Sequence, residues 1–122
     1  MTAFAPAGWP EGVRPPGAPE WELTAAAFLL DCCPADFRGY AVLRRHPEVL
    51  ARFAAQFVAG QCRAAQEGLA EIRTSLQRVV APDVVDAAAE VWLEQAARLV
   101  RTRRAVTLVE EALRGHVPVP RL

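Results

Sequence analysis

Two long helical runs joined by a single proline turn constrain this chain more than anything else in it. Pro47 to Val80 carries helical periodicity, Pro82 to Arg114 carries it again, and Ala81-Pro82-Asp83 lies between them. That arrangement predicts an antiparallel helical hairpin. Two helices cannot enclose a core alone, so further segments or a second copy must cover the remaining faces. The expected fold is all-α: a long antiparallel hairpin with two short N-terminal helices, completing a bundle as a dimer.

The third helix opens on Pro47 and Glu48, suited to the first turn. Its apolar seam reads Leu50, Phe53 or Ala54, Phe57, Gln61, Ala65, Leu69, Ile72, Leu76 and Val79, with a slip near the middle. Gly60, Ala64 and Gly68 form a stripe of small residues, open to close approach by a neighbouring helix or simply tolerated there. The fourth helix opens on Pro82 with Asp83 and Asp86 near its positive end, and Gly115 and Pro118 stop it. Its seam alternates three and four residues through Val85, Ala88, Trp92, Gln95, Leu99, Thr102, Val106, Val109 and Leu113, the coiled-coil pattern. Folding about the turn is expected to pair Val79 with Val85, Ile72 with Trp92 and Phe57 with Val106. Polar Gln95 and Thr102 would help to set the register.

Upstream, helices are expected over Glu22 to Cys32 and over Ala35 to Arg45, separated by Pro34. Phe37, Tyr40, Ala41 and Arg44 would share a face of the second. The first 20 residues hold five prolines and three glycines, which argues against regular helix or a central strand. Such a segment is either a loosely draped, disordered arm or one anchored by Trp9 and Trp21, in cis or in trans. The organisation is then an arm at 1–20, one helical domain at 21–116 and a tail at 117–122.

Composition narrows the functional classes. Of the 122 residues, 24 are alanine, so helix is favoured but little apolar area is available per residue. Basic and acidic residues balance at 14 each, every basic residue is arginine, and lysine and asparagine are absent. A neutral chain with Glu94 four residues before Arg98, and Glu110 before Arg114, lacks the footprint of a nucleic-acid binder, although Arg98, Arg101, Arg103 and Arg104 cluster. No apolar run is long enough to span a membrane, and no signal peptide is evident; a cytoplasmic setting is expected. Cys32, Cys33 and Cys62 make a poor disulfide framework and read as reduced, packed thiols. His46 and His116 give no zinc spacing, and neither follows a glutamate by three residues as a di-iron carboxylate site requires. No nucleophile, base and orienting group can be assembled, so no enzyme, cofactor or metal is expected.

Two features carry binding hypotheses. Leu93, Ala96, Ala97 and Val100 form a second apolar face on the fourth helix, about a third of a turn from its seam and flanked by Arg101 and Arg104. Either the N-terminal helices or a second copy of the chain should cover it. This favours a non-enzymatic protein–protein interaction or regulatory protein, a homodimer with a further protein partner. Separately, Glu71, Ser75 and Arg78, with Asp86 further on, resemble part of the cyclic di-GMP-binding signature of an actinobacterial anti-sigma factor family, although Pro82 stands where that signature has Gln. The resemblance implies a nucleotide second-messenger sensor as the alternative. Trp9-Pro10-Glu11, Pro15-Pro16-Gly17-Ala18-Pro19, Leu43-Arg44-Arg45-His46-Pro47 and Leu108 to Gly115 look like small uncharacterised helical proteins of GC-rich actinobacteria, a resemblance that implies a source and no activity.

Overall fold

The computed structural model describes residues 4–116; its regular secondary structure is all helical, with no strand among the described residues. Helix α1 spans Trp21–Asp31, a 3-10 turn covers Ala35–Gly39, α2 spans Ala41–Arg45, α3 spans Pro47–Leu76 and α4 spans Pro82–Leu113. The long pair α3 and α4 packs as the antiparallel hairpin, each helix about 45–50 Å long at 1.5 Å per residue. Helix α1 packs chiefly on α3 and touches α4, while α2 rests on α3 alongside it.

Local chemistry explains most of the boundaries. Pro47 and Pro82 both occupy first-turn positions, where the missing N–H has no intrahelical partner to lose. Helix α4 ends in a Schellman motif: Gly115 takes φ 86, its N–H donates to Ala112 O (3.0 Å), and His116 N–H donates to Glu111 O (2.8 Å). The expected helix over Ala35 to Arg45 is interrupted instead. Tyr40 is extended (φ −88, ψ 114), and its carbonyl accepts from Leu43 and Arg44 to start α2 afresh. The break follows Gly39, a poor helix former, and leaves Phe37 set edge-on against Phe53 and Phe57 at 6.0 and 5.4 Å.

Helix α3 stops at Leu76, four residues short of the expected Val80, and residues 77–81 form the connection. The centre of the fold therefore moves from Pro82 back towards Val79, and the register shifts by about one helical turn. Trp92 does not meet Ile72. Its indole lies against Gly68, and Nε1–H donates to Ala65 O at 2.8 Å. Val79 is 71% exposed in the loop rather than paired with Val85. Phe57 is exposed beside Phe37, and its expected place opposite Val106 is taken by buried Val58. The inward line on α3 runs Ala51, Ala54, Val58, Cys62 and Ala65, with small residues turned inward where helices crowd and large aromatics moved to the flank. Gln95 is exposed, and Thr102 donates to Arg98 O of its own helix (3.1 Å), so neither bonds across the seam.

The core sits at the open end of the hairpin. Leu29, Leu43, Leu50, Val58, Val106 and Val109 are fully buried there, with Ala25, Ala51 and Ala54 permitting close approach of α1 and α3. The N-terminal arm joins this core through Val13, only 4% exposed. Successive turns close with Trp9 N–H to Pro6 O, Val13 N–H to Pro10 O and Ala18 N–H to Pro15 O. Trp9 Nε1–H donates to Val13 O (2.8 Å) and its ring lies 6.4 Å from that of Trp21. Thr24 Oγ1 ties the arm to α1, accepting from Arg14 N–H while donating to Trp21 O. The arm is thus anchored in cis over the described residues. The expected tail at 117–122 lies outside them.

Candidate interaction surface

The α4 face flagged by sequence remains open. Leu93 is 50% and Val100 56% exposed; Ala97 is exposed as well, and Ala96 is half-buried. The N-terminal elements cover a different side of the helix. Val109, which they help to bury, lies nine residues after Val100, about half a turn round at 100° per residue. The chain's own short helices therefore leave this face uncovered.

Arg101 and Arg104 extend the face towards the open end, and both are exposed. Arg104 also meets the arm: Nη2 donates to Ala7 O at 3.3 Å, and its side chain lies so close to Gly8 that an added Cβ would stand 2.6 Å from Nε. Gly8 has φ 90, so both space and backbone demand glycine there. On the other side, Val84 and Val91 are exposed too, and between the two flanks a groove of about 220 Å³ opens between α3 and α4, lined by Gln61, Ala64, Trp92, Gln95, Leu99 and, at the border of the face, Ala96. The half of α4 nearest the turn thus presents apolar atoms on both flanks, whereas its other half is wrapped.

The residues of the ligand hypothesis occupy the end of α3. Glu71 and Ser75 are exposed, and the Ser75 hydroxyl donates to Glu71 O at 2.6 Å within the helix. Arg78 lies beyond the end of α3, in the connection, so the three side chains do not share one continuous helix. Asp86 pairs with Arg73 at 3.3 Å across the turn.

Among the described residues, no three His, Cys, Asp or Glu side chains gather as metal ligands, and no helix is long and apolar enough to cross a membrane. All three cysteines are free thiols. Burial pushes the Cys32 thiol up to about 11, with the neighbouring Cys33 and Asp31 adding to the effect, and burial likewise raises Cys33. Neither is an activated nucleophile at neutral pH. Cys62 faces the core, 2% exposed.

One buried charge escaped the sequence reading in part. Glu110 is 7% exposed, bridging Arg52 of α3 (3.4 Å) and Arg114 of its own helix (3.3 Å). The link to Arg114 follows from the four-residue spacing; the link to Arg52 depends on the hairpin register. Glu94 and Arg98, with the same spacing, form no ion pair among the described residues. No protein-family model, curated protein or solved structure matches the chain.

Proposed function

We propose that this chain is a non-enzymatic interaction or regulatory protein that works through the α4 face of Leu93, Ala97 and Val100, and that this face associates as a homodimer. The observation that carries the reading is the exposure of Leu93 and Val100 together on a stripe that the protein's own short helices leave uncovered. Contiguous apolar surface of this kind, rimmed by charge, marks association sites in soluble proteins. Flanking arginines suit such a rim, because the guanidinium pairs with carboxylates and still packs its stem on apolar atoms. The anchored arm reaches Arg104, which places a second chain segment at the edge of the same face.

Native mass spectrometry across a range of concentrations tests the reading, with Leu93→Glu/Val100→Glu as the comparison. A dimer in the parent that is lost in the double variant, with helicity by circular dichroism unchanged, supports it. A dimer that survives both substitutions overturns the assignment of the face. Co-purifying mass equal to a nucleotide, lost on Arg78→Ala, would instead favour the sensor built on Glu71, Ser75 and Arg78.

A further inference from the structure

The exposed stripe of α4 is ordered by charge as well as by hydropathy. Asp86, Glu90, Leu93, Ala97, Val100 and Arg104 alternate four and three residues apart, so they line one face. The acids of this stretch, Asp83, Asp86, Glu90 and Glu94, all precede its apolar centre at Ala96 and Ala97. The bases, Arg98, Arg101, Arg103 and Arg104, all follow it. A parallel neighbour with the same sequence would set acid against acid and base against base. An antiparallel one would set acid against base at both ends.

We propose that the occupant of the face is a second copy of this chain, with the two α4 helices antiparallel about a two-fold axis beside Ala96 and Ala97. The inference rests on the association reading given above and adds the orientation and register of the pair. Two alanines at the axis let the helix backbones approach closely. Leu93 then meets the partner's Val100, and by symmetry each such contact occurs twice. Glu90 runs alongside the partner's Arg101 and Arg104. Within the chain, neither Glu90 nor Arg101 forms an ion pair among the described residues, so both remain available. Asp86 and Arg104, by contrast, already have partners in Arg73 and the Ala7 carbonyl.

Disulfide trapping reads the orientation directly, in full-length protein carrying Cys32→Ala and Cys33→Ala, with buried Cys62 left in place. Ala97→Cys is expected to cross-link to itself on mild oxidation. Leu93→Cys and Val100→Cys should cross-link when mixed and not when each is alone. Cross-linking of each alone, with none between them, would mean a parallel pair; it would overturn the inference while leaving the association face standing. A dimer mass with no cross-link at any of these positions would overturn both. As a check that does not depend on cysteine, Glu90→Arg should weaken the dimer about tenfold at low salt, since two exposed pairs are reversed at once. Adding Arg101→Glu should recover the loss; failure to recover, or a monomer mass for the parent at every concentration, would sink the pairing.

Discussion

The two ends of the α3–α4 hairpin are built from the same helices and behave as different structures. At the open end, α1, α2 and the arm close over the helix pair, and the fully buried leucines and valines are concentrated there. Towards the turn the same helices run with only each other for company, and Ala65, Val85 and Ala89 are the buried apolar residues. The difference lies in what covers the pair, not in helix propensity, since both halves are alanine-rich. One half obtains its stability from a multi-layer core; the other has a few small buried residues, an indole seated on a glycine with its hydrogen bond to Ala65 O, and the exposed Arg73–Asp86 pair across the helices.

The largest test of that contrast is Leu50→Ala. It removes a side chain with no exposed surface from the covered end and should cost about 3 kcal/mol, read as a lower urea midpoint. Leu76→Ala, half-buried at the turn end, should cost about 1 kcal/mol or less. Equal losses at the two sites would erase the distinction.

A paired glycine substitution sharpens it. Gly60→Ala meets nothing closer than Arg63 Nη2 at 3.7 Å and should gain up to about 1 kcal/mol from helix propensity. Gly68→Ala would put its Cβ 2.8 Å from Trp92 Cζ2, so the indole must move and the hydrogen bond to Ala65 O weakens. That change should lose about 1 kcal/mol despite the same propensity gain. Thermal melts of the two variants moving in opposite directions would place the turn-end lock at Trp92; movement in the same direction would refute it.

The smallest effect concerns pH and falls on the covered end, where Cys32 and Cys33 pack against the core. The Cys32 thiol titrates near 11 in the folded protein against an ordinary value of 9.0, so the unfolded chain gives up its proton first. Stability from the protonated thiol is complete below pH 9 and is lost as pH rises from 9 towards 11. Cys32→Ala should melt with a shallower alkaline decline than the parent; identical profiles would remove the thiol from the account.

The sequence made the helical hairpin legible because periodicity and proline positions are local signals. Pro47, Pro82 and Gly115 each mark a boundary through backbone chemistry that needs no neighbour. Register was not legible, because it depends on where the connection bends, and Gln77 to Val80 read equally well as helix. From that one turn followed the misplacement of Ile72 and Val79. The choice between Phe57 and Val58 for the inward position turned on α1 and on Phe37, neither of which is adjacent in sequence. The exposed α4 face was legible as a spacing, and its charge order was there to be read from Asp83 to Arg104. Glu110 was half legible: the Arg114 link is a matter of spacing, the Arg52 link a matter of tertiary register.

The short connection at 77–81 has a bearing on how the chain reaches this structure. Contacts beside it close small loops, whereas the arm's contact from Ala7 to Arg104 spans 97 residues and is entropically late. Assembly would then begin in the half of the hairpin that is least able to hold itself together and travel towards the half that can. Trp92→Phe, which deletes the early cross-helix bond, should slow refolding more than it speeds unfolding, with Leu50→Ala showing the opposite partition. The lone indole, modest in its share of the final stability, would be the clasp that holds the strands of the reaction together until the rest arrives.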